Sequence, residues 1–140
     1  MRKTFLRLGS LFAMLSVVLG AFGAHALENA IEPEQLETFE IGVRYQFYHA
    51  LALIGVGLLS YWRKAKLLPW AGWLFVIGIL LFSGSIYLLA LRELLQIDIG
   101  WVGPITPIGG TLFIIGWALF LISTYQDNQR SYRRRSKESE

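Results

Sequence analysis

The sequence predicts an all-α protein: a four-helix transmembrane bundle, with a short amphipathic outer helix between the first two spans. Three observations predict it. The 140 residues are 54% hydrophobic and only 16% charged, with a mean hydropathy of +0.48. Globular chains average about 45–50% and about 25%. Four apolar stretches, about 5–26, 45–62, 69–91 and 106–125, stand out. Each approaches the ~20 residues needed to cross ~30 Å of hydrocarbon. Their interiors hold no Lys, Arg, Asp or Glu apart from Arg7 at the start of the first. In lipid every backbone N–H and C=O needs a partner within the protein, so such stretches are helices.

Residues 1–125 then make one four-span membrane domain, with no room for a separate soluble one. Residues 126–140 read as a basic, polar, disordered tail. The first stretch has a second reading. Arg2 and Lys3 followed by Ala24-His25-Ala26 resemble a signal peptide with its cleavage site. Its apolar part is too long for that. It also carries a small-residue stripe, Gly9, Ala13, Ser16, Gly20 and Ala24, suited to close helix packing. It reads as a retained span.

The outer segment Glu28–Arg44 is amphipathic. Pro33 suits a first helical turn, where its missing N–H costs nothing. Glu34 and Glu37 face the positive end of that helix. Leu36, Phe39 and Val43 share a face. This predicts a short helix on the outer surface, entering the second span with a bend near Gly42. Glu40 and Arg44 are spaced to pair.

Lys and Arg set the orientation. Arg2, Lys3, Arg7, Arg63, Lys64, Lys66, Arg130, Arg133, Arg134, Arg135 and Lys137 fall on one side, and only Arg44 and Arg92 on the other. Eleven against two puts both termini in the cytoplasm. Trp62, Trp70 and Trp73 mark the inner boundary, and Tyr45, Tyr48 and Trp101 the outer one. The net charge of +3 is therefore mostly topology. Arg133-Arg134-Arg135 reads as a solvated tail touching anionic lipid, not as a nucleic-acid site.

Polar residues of all four spans gather near the outer leaflet: His25, Tyr45, His49, Ser83, Ser85, Tyr87 and Thr106. Buried polar groups are costly in a membrane and often functional. His25 and His49, on separate helices, suggest a haem or metal pair or a proton relay. The plainer reading gives each histidine a hydrogen bond to a neighbouring helix or an interfacial water. No third metal ligand is evident and no acidic residue lies inside a span. No cofactor is therefore expected, and His25 and His49 are the residues for any that binds. Tyr87 is placed to hydrogen-bond His49. Thr106 reads as a helix cap with Pro107 at the first helical position. Ser16, Gly20, Ala24, Gly84, Gly109 and Gly110 read as helix-packing positions.

Several chemistries are absent. The chain has no cysteine, hence no disulfide and no thiolate chemistry. It has no phosphate loop, paired catalytic carboxylates, Ser/His/Asp triad or dinucleotide fingerprint.

Certain blocks are familiar. They are Gly20-Ala21-Phe22-Gly23-Ala24-His25-Ala26-Leu27, Tyr45-Gln46-Phe47-Tyr48-His49-Ala50-Leu51, Phe82-Ser83-Gly84-Ser85-Ile86-Tyr87, and Thr106-Pro107-Ile108-Gly109-Gly110 with Gly116-Trp117. The chain, over roughly residues 5 to 125, resembles the small integral membrane proteins known as domain of unknown function 423. That family includes the eukaryotic transmembrane protein 256. The resemblance implies a four-helix membrane protein in bacteria and no activity to carry over.

The expected function is a non-enzymatic bundle in the bacterial plasma membrane that binds a partner protein or lipid at the outer leaflet. Its partners are membrane lipids and a homo-oligomer or larger complex, with no nucleic acid. A small oligomeric transporter or channel, and a haem- or metal-binding redox subunit through His25 and His49, are the alternatives.

Overall fold

The computed structural model describes residues 2–126, all in helices and their short connections. The polar tail expected over 126–140 lies, but for Gln126, outside the described residues. Helix α1 (Arg2–Phe22) runs on through a π turn, Gly23–Leu27. Helix α2 is Pro33–Trp62. Helix α3 (Leu68–Gly78) continues through a second π turn, Ile79–Ser83, into α4 (Gly84–Leu95). A 3₁₀ turn at Gly100–Val102 leads to α5 (Ile105–Gln126). These make four long helical rods. Three of them, Lys3–Leu27, Leu68–Leu95 and Gly100–Gln126, are long and apolar enough to cross a membrane.

The order of packing follows the chain. Helix α1 lies along α2, α2 against the α3–α4 rod, and α5 against α3 and its π turn. The outer helices α1 and α5 expose large apolar side chains such as Met14, Val17, Ile114 and Leu121. The main core joins Phe5, Leu53, Val56, Leu68, Phe75 and Phe113.

The end holding Arg7, Arg63, Lys64 and Lys66 is here called the basic end, and the opposite one the acidic end. At the basic end the Phe5 ring meets Trp73 edge-on at 5.8 Å. There Arg63 donates from Nη1 to the Thr124 carbonyl at 2.8 Å, satisfying a backbone acceptor in the last turns of α5.

The expected short outer helix does not form. Pro33 does open a helix, and the Glu32 N–H donates back to the Gln35 side chain at 3.3 Å. That helix then runs unbroken through Gly42 to Trp62. The reason is that its apolar face finds protein. Leu36, Phe39 and Val43 join Leu27, Ala90, Tyr87 and Leu91 in a second apolar cluster at the acidic end. Glu40 and Arg44, both exposed, do not meet within ion-pair distance. Exposed i, i+4 pairs gain only ~0.3–0.5 kcal/mol, too little to hold one geometry.

Close approach of backbones sets the spacing of the rods. A Cβ on Gly9 of α1 would sit 2.8 Å from the Ala50 carbonyl oxygen of α2. One on Gly109 of α5 would sit 2.5 Å from the Phe82 backbone nitrogen in the second π turn. Ser16 is buried and Gly20 faces Val43, but Ala24 is exposed. Gly23 and Leu27 take its place against Phe39 and its neighbours. A step of four residues overshoots a helical turn by about 40°. Two such steps in succession carry Ala24 off the face. Gly110 makes ordinary contact with Phe82, whereas Gly84 faces open space.

Gln96 ends α4 in the left-handed region at φ 52°, with the Ile97 N–H returned to the Arg92 carbonyl at 3.1 Å. Left-handed backbone costs a residue with a Cβ about 1–2 kcal/mol, and glycine escapes most of that. Gln96→Gly should therefore stabilise the fold by about 0.5–1 kcal/mol in a detergent unfolding titration.

Gly109 and Gly84 should respond oppositely. Gly109→Ala must displace the Phe82 backbone and should cost about 1–3 kcal/mol. Gly84→Ala meets nothing and should be neutral or gain up to about 1 kcal/mol of helix propensity. Thermal melts of the two purified variants decide it, and equal losses would contradict the packing described.

Candidate functional site

Polar side chains on α2 organise the interior. His49 is buried, on the side of α2 that faces α5. Its Nδ1 lies 2.7 Å from the Tyr45 carbonyl oxygen one turn back. A carbonyl only accepts, so Nδ1 carries the hydrogen and donates. Its Nε2 is then the acceptor, and the Trp117 indole N–H donates to it at 3.2 Å. Both ring nitrogens are used in one neutral tautomer. The Phe113 ring stacks on the imidazole, 3.4 Å between centroids and 9° between planes.

Gln46, on the same helix, faces the other neighbours. Its Nε2 donates to the Phe12 carbonyl of α1 at 3.0 Å, and its Oε1 accepts from the Tyr87 hydroxyl of α4 at 2.9 Å. The expected Tyr87–His49 bond is thus not made, because Gln46 stands within reach of Tyr87 and His49 turns to α5.

The Ser83-Gly84-Ser85 stretch reaches two neighbours. Residues two apart project about 200° apart around a helix. Ser83 donates to the Gly42 carbonyl of α2 at 2.8 Å. Ser85 donates to the Phe82 carbonyl at 2.9 Å, leaving its oxygen to accept from Thr106 of α5 at 2.6 Å. Thr106 therefore links helices and is not the cap. Helix α5 begins one residue earlier, at Ile105. Ser16 donates to the Phe12 carbonyl within α1 at 2.9 Å. Among the described residues no buried side-chain N or O lacks a partner.

His25 stands apart from this network. It lies in the first π turn, exposed, while His49 points toward α5. The two imidazoles do not converge. No group of three or more His, Asp or Glu among the described residues is arranged to hold a metal ion.

Beside His49 a groove opens between α2, the second π turn and α5. It encloses about 500 Å³. Aromatic rings dominate its lining: Tyr45, His49, Phe82, Phe113 and Trp117, beside Gly110 and Ile114. Tyr45 packs on Phe82, 4.8 Å between centroids, and keeps an exposed edge.

Gln46 and Trp117 stand in the sequence only as members of the familiar blocks, although each carries a signal of its own. Gln46 is the one amide within the four apolar stretches. Trp117 lies mid-helix, away from the interfacial belts where tryptophan usually sits. Its partner on another helix was not readable.

The Gln46–Tyr87 link yields a double-mutant test. Gln46→Leu leaves the half-buried Tyr87 hydroxyl without its acceptor and should cost about 1–3 kcal/mol. Adding Tyr87→Phe removes the stranded hydroxyl and should recover part of that loss, a coupling of about 0.5–2 kcal/mol in detergent unfolding. Strict additivity would show that the bond does not form.

Comparison with known proteins places the chain. The profile of a family described as a protein of unknown function (DUF423) matches residues 19–110. A UPF0382 membrane protein of Staphylococcus saprophyticus is 45% identical over 124 residues, 89% of this chain and 98% of the relative. One from Staphylococcus haemolyticus is 46% identical, over 89% and 97%. The UPF0382 membrane protein YwdK of Bacillus subtilis is 43% identical over 126 residues, 86% and 95%. No solved structure matches the chain.

Proposed function

This chain belongs to the DUF423 family, whose relatives are named membrane proteins, and we propose that it is a non-enzymatic bundle that binds a partner helix or lipid chain in the aromatic groove beside His49. One observation carries the reading. The interior polar groups are spent on joining helices, while Tyr45, Trp117 and Ile114 on the groove stay exposed. A slot lined by rings and a glycine suits an apolar rod or chain, which gains dispersion contacts there.

The same reading places all four rods across the bacterial plasma membrane, with both termini in the cytoplasm. The charge bias between the two ends supports the orientation. Helix α2 is the one rod of the four not among those apolar enough to span by composition, because Tyr45, Gln46, Tyr48 and His49 stand in it. Two of these, Gln46 and His49, turn inward to hydrogen-bond other helices, which lowers the cost of spanning.

The alternatives draw less support. A transport path needs polar groups free to meet a solute, and here the buried ones are paired. A bis-histidine site needs two available ring nitrogens on converging helices. His49 has committed both of its own and His25 faces away.

A photo-reactive residue placed at Ile114, on the groove, and another at Leu121, exposed on the same helix, test the proposal in cells. Ile114 should yield a discrete adduct and Leu121 none. Identical adducts or none at both positions would remove the groove as a binding site.

A further inference from the structure

A second groove lies on the other side of α2, against α1. Val17, Val43, Phe47 and the ring of Tyr48 line it, and Arg44 stands at its edge. It encloses about 280 Å³. Ser16 reaches it too, but its hydroxyl is spent on the Phe12 carbonyl.

The depth of Arg44 is set by the helix. Arg63, which caps α2, stands nineteen residues further on. At ~1.5 Å per residue that is about 28 Å, close to the ~30 Å of a hydrocarbon core. No Lys, Arg, Asp or Glu intervenes. With Arg63 held at the basic end by the Thr124 carbonyl, Arg44 falls at the opposite headgroup level. Tyr45 and Tyr48 flank it, as rings do at an interface.

The charges around Arg44 are ordered. Among the described residues its guanidinium has no ion-pair or hydrogen-bond partner. Glu40 stands one turn further from the basic end on the same face, about 5–6 Å away between Cβ atoms. It too is exposed and without an ion-pair partner among those residues. From Phe47 and Tyr48 outward along α2 the surface therefore reads apolar groove, cation, anion. A phospholipid with an ammonium headgroup presents acyl chain, phosphate and ammonium in that order.

We propose that this surface is a binding site for one aminophospholipid of the phosphatidylethanolamine type. Its acyl chain lies in the groove between α1 and α2, its phosphate on Arg44 and its ammonium on Glu40. Arginine matches phosphate through paired N–H donors. A primary ammonium donates hydrogen bonds to a carboxylate, which a quaternary one does not. The proposal rests on the reading of a membrane bundle that binds lipid, but uses a different groove.

Native mass spectrometry of the purified full chain, titrated with phosphatidylethanolamine, phosphatidylglycerol and phosphatidylcholine, tests it. The first lipid should be retained over the other two. Arg44→Gln should lower its retention by roughly tenfold, as a lost charge-assisted contact of about 1.4 kcal/mol would. Glu40→Gln should abolish the preference over phosphatidylglycerol while leaving phosphate binding. Val17→Trp, which fills the groove and keeps both charges, should reduce retention of every lipid. Equal retention of the three lipids, a preference for phosphatidylglycerol, or an unchanged Arg44→Gln would overturn the proposal. The Ile114 adduct is read separately, so a failure at one groove leaves the other standing. Thermal melts confirm that each variant is folded.

Discussion

The carboxamide of Gln46 joins three helices through two hydrogen bonds, one to the α1 backbone and one to Tyr87 of α4. Much of the remaining structure depends on the constraint this satisfies. Inside an apolar solvent a polar group that loses its protein partner finds no water to replace it. A buried amide therefore fixes how far its neighbouring helices can slide. His49 applies the same rule toward α5, and Ser83 and Ser85 apply it from the α3–α4 rod. Residues that look like a chemical site in the sequence thus act as fasteners between helices.

The second π turn is where these fastenings converge. A glycine on α5 allows its backbone to approach Phe82 closely. That approach brings Thr106 within reach of Ser85 and Phe113 onto His49. Within the turn the Phe82 carbonyl accepts from the Ser85 hydroxyl. π turns inside α-helices recur at functional positions. Here one forms a wall of the aromatic groove, so the same local irregularity serves packing and the open face.

Charge divides the two ends of the bundle. Basic residues crowd one end, and acidic residues line the other, where the first part of α2 stands. The apolar cluster of Leu27, Phe39 and Ala90 holds that part against α1 and α4. Arg44 sits where this acidic extension gives way to the uncharged length of α2. Among the described residues the buried polar side chains are all paired, and two grooves with largely apolar linings flank α2.

The sequence by itself determined the solvent, the number of helical rods and the acidic and basic ends. Those follow from composition, the length of apolar runs and the placement of Lys and Arg, which need no knowledge of contacts. It also marked His49, Ser83, Ser85, Tyr87 and Thr106 as polar groups at related depths, and Leu36, Phe39 and Val43 as one face. Only the tertiary structure decided what each meets. Tyr87 bonds Gln46, His49 bonds Trp117, and His25 faces outward. The outer amphipathic segment became the first turns of α2 because α1 and α4 offered it an apolar surface. Ala24 left the packing face because steps of four outrun a 3.6-residue turn. Periodicity places a side chain on its own helix, but its partner depends on how neighbouring helices are rotated. That rotation is set by contacts between residues far apart in the chain.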